Sequence, residues 1–95
     1  MLTVKQVQEA VIPILHKHQV KRASLFGSIV HGTNHEKSDV DILVSLPQKY
    51  SLYDFITVKN ELEDKLQNKV DLVEFDNIRP YLKEQILSSQ ISIIA

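Results

Sequence analysis

The sequence predicts a small α/β domain in which a mixed β-sheet is flanked by helices. Apolar residues recur every three or four positions in some segments and every second position in others, which are the periods of helices and strands. The segments follow one another in the order helix, strand, strand, helix, strand, helix, with a short apolar stretch at the C-terminus. A helix between the second and third strands suggests a crossover unit.

The first helix is predicted from Thr3 to about His18, because valines and leucines recur there at helical spacing and Thr3 can cap it. Pro13 lies inside this segment, so we expect it to kink the helix or to end its regular part early. Two strands follow, at 20–26 with the sequence VKRASLF and at 40–46 with the sequence VDILVSL.

The next helix has the clearest signals in the chain. Ser51 opens it, and Asp54 three residues later fits a variant of the capping box. One apolar stripe then extends to about Asn68, formed by Leu52, Phe55, Val58, Leu62 and Leu66.

The C-terminal part predicts a third strand at 69–75, with the sequence KVDLVEF, and a last helix at about 78–89. Asn77 is the predicted cap of that helix, and Pro80 is tolerated in its first turn. The final residues, 91–95, form either a short strand or a tail docked on the core.

Composition indicates one soluble domain spanning residues 1–95 and excludes several classes of protein. The formal net charge of −1 does not indicate a nucleic-acid binder with a broad basic face, so no direct nucleic-acid contact is expected. The absence of cysteine excludes disulfides and thiolate metal sites. No apolar run approaches the roughly 20 residues that span a bilayer, and the charged N-terminus is unlike a signal peptide. We therefore expect a cytoplasmic protein that does not contact membranes.

Asp39 and Asp41 stand one residue apart at the start of the second apolar strand. Side chains at this spacing point to one face of a strand, with backbones roughly 6–7 Å apart. Two carboxylates held so close repel, and each resists desolvation. Divalent cations relieve both problems: Mg²⁺ prefers hard oxygen ligands, and two ions about 3.5–4 Å apart could share the pair and stabilise a phosphoryl displacement.

Asp71 is the predicted third carboxylate of this site. It begins the third strand and shares a face with Val73 and Phe75, so it can approach the other two if the strands are neighbours. There it could ligate a metal and orient or deprotonate an attacking hydroxyl. Glu74 is the competing residue, but its position in the alternation puts it on the opposite face.

Gly27 and Ser28 form the predicted phosphate-binding turn. Glycine after a strand lets the backbone turn sharply and lets a phosphate come close, while Ser28 offers an N–H and a hydroxyl. Gly32 fits a second tight bend. Ser38, beside Asp39, could bond either to the turn or to the incoming phosphate, and the sequence does not decide between them.

Together these motifs resemble a known signature. Gly27-Ser28, ten intervening residues and then Asp39-Val40-Asp41 are similar to the G-S-x10-D-x-D pattern of the DNA polymerase beta-like nucleotidyltransferase superfamily. The compact size resembles its minimal nucleotidyltransferase (MNT) group, and VDLVEF at 70–75 is similar to that group's third-aspartate strand. The resemblance covers nearly the whole chain and implies the nucleotidyltransferase fold.

The resemblance also implies a reaction and a partner. AMP would pass from ATP to a hydroxyl, with release of pyrophosphate. Asp39 and Asp41 would hold two Mg²⁺ ions, Asp71 would bind the catalytic metal and act as base, and Gly27 and Ser28 would cradle the β- and γ-phosphates. Minimal members often serve as antitoxins that pair with a helical HEPN ribonuclease toxin and silence it by adenylylating a tyrosine.

One departure keeps other readings open. Many minimal members read roughly G-S-x-A-R-G, whereas this chain has GSIVHGT, with Val30 and His31 in place of Ala and Arg. An alternative is therefore an antitoxin of the same fold that acts only by binding its partner. A third reading is a small-molecule nucleotidyltransferase assembled from two chains, so homo- or hetero-oligomers both fit.

The remaining polar and aromatic residues are interpreted as structural. We expect His16, His18 and His35 to be surface residues, and three tyrosines to serve packing or partner contact: Tyr50, Tyr53 and Tyr81. Lys37 and Arg79 could meet phosphates but are left out of the predicted site. Because the chain has no room for a second domain, a partner is expected to present the acceptor, which makes a protein substrate attractive.

Overall fold

A computed structural model of the chain describes residues 2–35 and 38–95, so Lys37 lies outside the described residues. Helices and strands alternate along the described ranges, with a 3₁₀ turn at Phe75–Asn77. In chain order they are α1 (Val4–Lys17), β1 (Arg22–Phe26), α2 (Ser28–His31), β2 (Val40–Ser45), α3 (Leu52–Leu66), β3 (Val70–Glu74), α4 (Pro80–Ser88) and β4 (Ile91–Ile94).

The four strands form one mixed sheet in the order β3-β2-β1-β4. Strand β1 is antiparallel to both β2 and β4, whereas β2 and β3 are parallel and joined through α3. The predicted crossover unit is therefore confirmed. The register places Asp41 beside Phe26 on one side and beside Asp71 on the other.

One face of the sheet carries the hydrophobic core. Helices α1 and α3 pack there, and their fully buried residues are Val7, Val11, Leu15, Val58 and Leu62. They meet alternate strand residues such as Leu25, Ile42 and Leu72. Because side chains alternate along strands, Phe26, Asp41 and Asp71 project from the opposite face, where α4 contributes Leu82 and Ile86.

Of the predictions about helix ends, one is confirmed and one was wrong. Helix α1 extends to Lys17, close to the predicted end at about His18, so of the two effects expected of Pro13 an early end does not occur. Asn77 does not cap the last helix: it closes the 3₁₀ turn, and Arg79 is the N-cap, with Pro80 as the first helical residue. Proline is favoured there because its missing N–H would have no partner in the first turn.

Other local predictions are confirmed. Ser51 and Asp54 form a capping box, in which the Ser51 hydroxyl accepts from the Asp54 N–H. Residues at the C-terminus pair with β1 as strand β4, which decides between the strand and the docked tail. Thr3 caps α1 through a second capping box with Gln6.

His18 is not the surface residue that the sequence predicted, since its side chain is only 13% exposed. Its Nδ1 lies 3.0 Å from the hydroxyl of Tyr50, and its Nε2 lies 2.8 Å from a carboxylate oxygen of Glu61. The Lys17 ammonium donates to the same carboxylate, and these two donors lower the pKa of Glu61. The cluster ties the end of α1 to α3 and to the segment before α3.

Candidate active site

The centre of the candidate site is a contact among Asp41, Asp71 and the backbone of Gly27. Asp41 and Asp71 are direct neighbours across the parallel strands β2 and β3. Gly27 follows β1, and a Cβ atom added there would stand 2.0 Å from Oδ2 of Asp41. Three consecutive strands of the sheet thus supply these groups, although they are far apart in sequence.

The carboxylates at this centre repel one another. Burial and the neighbouring carboxylates raise the pKa of Asp41 to about 6. Desolvation is the largest cause, followed by repulsion from Asp71 and then from Asp39, and a hydrogen bond between the Asp41 and Asp71 carboxyl groups adds to it. Asp41 therefore keeps its proton to a higher pH than an ordinary aspartate does.

Asp39 lies just before β2, which begins at Val40, and it is exposed. Its repulsion of Asp41 is weaker than that of Asp71. Asp39 and Ser38 also line a cavity of about 340 Å³ near the start of α1, the short helix α2 and the end of α3. The amide side chains of Asn34, Gln67 and Asn68 line the same cavity. Asp39 thus lies between the carboxylate pair and this cavity, which apolar residues such as Ile29 and Leu66 also line.

Ser38 is engaged in the loop before β2. Its hydroxyl accepts from the N–H of His35 at 3.0 Å, and its own N–H donates to the His35 carbonyl at 2.9 Å. Asn68 also donates to the Ser38 carbonyl at 2.9 Å. Of the two roles that the sequence left open for Ser38, the structure shows the bond to the turn, and contact with a phosphate stays a prediction.

The Gly27-Ser28 turn has the conformation that the predicted phosphate loop requires. Gly27 has φ +77° and ψ −150°, a combination that is essentially restricted to glycine. Its carbonyl accepts from the N–H groups of Val30 and His31, which begins the short helix α2. Gly32 ends that helix in the left-handed conformation, as the predicted second bend requires.

Val30 and His31, the departures from the family pattern, have different surroundings. Val30 packs against the hydrophobic core, whereas His31 is exposed at the end of α2. Glu74, the competing third carboxylate, lines a different groove from Asp71, together with Leu72 and Tyr50. The position that alternation gave to Glu74 is therefore confirmed.

Arg79 is a neighbour of the site that the sequence analysis left out. It lines a cavity of about 310 Å³ together with Asp71, between β3 and the start of α4. The 3₁₀ turn after β3 brings it there, by reversing the chain beside the strand that carries Asp71. The only signal in the sequence was its short distance from Asp71, which does not predict such a turn.

The acidic pair fits a divalent cation, although a larger ligand set is not assembled. Among residues 2–35 and 38–95, no three His, Asp or Glu side chains are grouped closely enough to hold a metal. Mg²⁺, however, usually takes one or two protein carboxylates and completes its octahedron with water and phosphate oxygens. Asp41 and Asp71 meet that need, and the raised pKa of Asp41 shows a charge that a cation would neutralise.

Comparison with known proteins agrees with this geometry. Residues 9–95 match the polymerase beta nucleotidyltransferase family. A protein of Methanocaldococcus jannaschii, MJ0435, named as a predicted protein adenylyltransferase, is 40% identical over 93 residues, covering 98% of this chain and 100% of its own length. The protein adenylyltransferase MntA of Thermococcus cleftensis is 32% identical over 99 residues, covering 98% of each chain.

A solved structure has the same fold. A chain in the crystal structure of a toxin–antitoxin complex with AMP-PNP superposes with a TM-score of 0.79 and 25% identity. The match covers 90% of this chain and 71% of that one. The nucleotidyltransferase fold predicted from the sequence is confirmed. With the family match extending from α1 to the C-terminal strand, the chain belongs to the polymerase beta nucleotidyltransferase family.

Proposed function

We propose that this protein is an Mg²⁺-dependent adenylyltransferase that moves AMP from ATP to a hydroxyl of a partner protein. The observation that carries the proposal is the contact of Asp41 with Asp71 and with the backbone of Gly27. It joins an acidic pair suited to a cation with a glycine turn suited to phosphates, and neither feature serves the hydrophobic core.

In the proposed reaction each residue has a defined task. Asp41 and Asp71, with Asp39 beside them, would hold the Mg²⁺ ions, and the resemblance implies two of these. Bound Mg²⁺ would neutralise charge on the triphosphate and polarise its α-phosphate. The Gly27-Ser28 turn would receive the β- and γ-phosphates through backbone N–H groups and the serine hydroxyl.

The chemical step is a displacement at the α-phosphorus. The acceptor oxygen forms a bond to that atom, and the bond to the bridging oxygen of pyrophosphate breaks, so pyrophosphate leaves with the electron pair. Asp71, the more exposed member of the pair, takes the proton from the acceptor hydroxyl. The products are an AMP ester of the acceptor and free pyrophosphate.

The proposed acceptor is a HEPN-type toxin, with this chain as its antitoxin. Two kinds of relative support the assignment: proteins named as protein adenylyltransferases, and a toxin–antitoxin complex that holds AMP-PNP. Adenylylation of a tyrosine on the toxin is the specific modification we propose. An activity that uses ATP and such a partner would operate in the cytoplasm.

The experiment combines the protein with ATP, Mg²⁺ and the protein encoded by the neighbouring gene in its genome. Mass spectrometry should show a gain of one or more AMP units on the partner, and Asp41→Ala and Asp39→Ala should abolish this gain. Asp76→Ala, which removes an exposed carboxylate outside the site, is the matched control. Full labelling by an Asp39/Asp41 double variant would refute the metal assignment.

A second candidate is neutralisation by binding alone. The observation that favours it is the absence, among the described residues, of three grouped side chains able to hold a metal. This candidate predicts that Asp41→Ala still suppresses the toxin when both genes are expressed in cells. The adenylyltransferase proposal predicts that Asp41→Ala loses both AMP transfer to the toxin and suppression of the toxin.

A further inference from the structure

A groove beside β3 lies apart from the candidate active site. Its volume is about 380 Å³, whereas Asp71 and Arg79 line a different cavity. One wall of the groove consists of three consecutive residues of β3: Leu72, Val73 and Glu74. Because successive side chains of a strand point to opposite faces, a groove lined by all three runs along the edge of the strand rather than over one face of the sheet.

The edge of β3 is an outer edge, because the strand order of the sheet is β3-β2-β1-β4. The carbonyl of Lys69, just before β3, accepts from the first N–H of β2 at 2.9 Å. The next residue, Val70, donates instead to the side chain of Glu63 on α3, at 2.9 Å. Since backbone groups alternate in direction along a strand, the N–H and C=O groups of Leu72 and Glu74 point away from β2, toward the groove.

The opposite wall of the groove is apolar and aromatic. Tyr50, Leu52 and Phe55 contribute to it, from the start of α3 and the segment before that helix. Leu52 is 71% exposed, and Ile56, one turn further along α3, is 44% exposed. Large apolar side chains that cluster on a surface mark interaction sites. Backbone hydrogen-bonding groups and an apolar wall therefore border the same groove.

We propose that this groove binds an extended segment of a partner protein, which joins the sheet as a fifth strand beside β3. The segment has apolar residues at alternate positions, because every second side chain of an added strand points toward the wall formed by Tyr50, Leu52 and Phe55. Glu74 is the acidic residue among the described residues that line the groove, so a basic residue in the segment complements it. The proposal goes beyond AMP transfer, because such binding needs neither ATP nor the acidic pair.

The other outer strand, β4, fits such a segment less well. Its pairing with β1 is irregular between Ala23 and Ser24, and irregularities of this kind protect the edges of sheets from further pairing. Strand β3 pairs with β2 in an unbroken register over all five of its residues. The regular outer edge beside an apolar groove is therefore that of β3.

The test uses the whole protein and a synthetic peptide, acetyl-KVTVTVK-amide, in which valines and threonines alternate between two lysines. Binding and amide hydrogen exchange are followed by NMR of ¹⁵N-labelled protein. At ten times the dissociation constant, exchange of the Leu72 and Glu74 N–H groups should slow about tenfold, because the bound peptide accepts their hydrogen bonds. The Val70 N–H is the internal control, since it already donates to Glu63 and should change little.

Two variants at Glu74 differ in the backbone group that the proposal requires. Glu74 has φ −82°, close to the value that proline adopts, so Glu74→Pro suits the strand but removes the outward N–H. Glu74→Ala also loses the carboxylate but keeps that N–H. Peptide binding should be about tenfold weaker in Glu74→Pro than in Glu74→Ala, because a hydrogen bond is lost and the ring obstructs the added strand.

A second comparison needs no protein variant, and it decides the question if circular dichroism shows that Glu74→Pro does not fold. One peptide carries methyl groups on its valine nitrogens and another on its threonine nitrogens. Only one of these two should lose binding, because alternate N–H groups of an added strand face β3.

Four results would overturn the proposal. The first is no binding of the peptide at millimolar concentration, and the second is equal binding by Glu74→Pro and Glu74→Ala when both fold. The third is an equal effect of the two methylations. The fourth is self-association of the protein without peptide that Glu74→Pro abolishes, which would assign the edge of β3 to a second copy of this chain.

Discussion

At the scale of single residues, the site depends on a glycine where the chain has no space for a side chain. Gly27 combines a positive φ with close contact to Asp41, so two independent constraints act on one position. Gly32 has a similar φ of +71°, but a Cβ added there would meet nothing within 4 Å. The two glycines are therefore a matched pair for separating crowding from backbone strain.

Gly27→Ala should lower the free energy of unfolding by about 2 kcal/mol or more, because backbone strain and displacement of Asp41 add together. Gly32→Ala should cost about 1 kcal/mol, from backbone strain alone. Urea unfolding measures both, and AMP transfer should be lost only in Gly27→Ala. Equal losses of stability in the two variants would show that contact with Asp41 is unimportant.

The pH dependence of Asp41 gives a second prediction at this scale. Its pKa is about 6 in the folded protein, against an ordinary value of 3.8. Because the folded-state pKa is raised, the contribution of Asp41 to stability is fully present below pH 4 and is lost as the pH rises through 6. Above pH 6 the ionised Asp41 side chain lowers the free energy of unfolding.

Asp41→Asn should therefore gain stability relative to the wild type by about 1 kcal/mol between pH 4 and pH 7, after allowance for the solvent that screens this half-buried side chain. Urea unfolding in EDTA at several pH values measures the difference. Asp71→Asn removes the neighbouring charge, so in that variant the change should be smaller and should occur at lower pH. A pH-independent difference between the wild type and Asp41→Asn would contradict the assignment.

At the scale of elements, helix α3 determines which strands become neighbours. Its capping box fixes where it begins, and its buried stripe packs on the sheet beside α1. Glu63 on the same helix accepts from the N–H of Val70 at 2.9 Å, which anchors the first residue of β3. Asp71 follows directly, so the position of α3 helps to set the position of a site residue.

Tyr50, just before α3, offers a test of the link between this helix and α1. Tyr50→Phe removes the hydroxyl that pairs with His18 and should lower the free energy of unfolding by about 1 kcal/mol, because a largely buried ring nitrogen loses its partner. Tyr53→Phe is the control, since Tyr53 is 82% exposed. Thermal or urea unfolding compares the two, and equal stabilities would contradict the role of the buried hydrogen bond.

The order of the elements was predictable from the sequence because each has a local period and local end signals. The apolar run in VDILVSL and the Ser51 capping box are examples in which neighbouring residues carry the information. Arg79 and His18 show the limit of that information. His18 meets Glu61 through packing between α1 and α3, which joins residues distant in sequence. Arg79 lies beside Asp71 because of a 3₁₀ turn that no local sequence signal predicted.

At the scale of the whole molecule, the sheet separates the packing of α1 and α3 from the candidate site. Helices α1 and α3 seal one face, and the other face carries Asp41 and Asp71, with a cavity beside Asp71. Because the acidic pair lies on the face away from α1 and α3, changes there should alter ligand binding without disturbing the core. None of the helices in the described ranges is long and apolar enough to cross a membrane.

Mg²⁺ should stabilise the folded protein through that pair. At ten times its dissociation constant, a cation that binds only the folded state adds about 1.4 kcal/mol to the free energy of unfolding. Asp41→Asn and Asp71→Asn should each lose this gain, whereas Asp76→Asn should keep it. Thermal unfolding with and without EDTA measures the effect, and an equal gain in all three variants would place the cation elsewhere.

The sequence by itself determined the α/β class and the order of the strands and helices. It also determined the three aspartates and the glycine turn that mark the family. All these features depend on the spacing of residues that are close in sequence. Only the tertiary structure decided that Asp71 lies against Asp41 rather than Asp39, that Gly27 leaves no space for a Cβ, and that Arg79 borders the site. Strand register and chain reversal set those distances. Both depend on how α3 and the 3₁₀ turn pack, and a one-dimensional pattern does not contain that information.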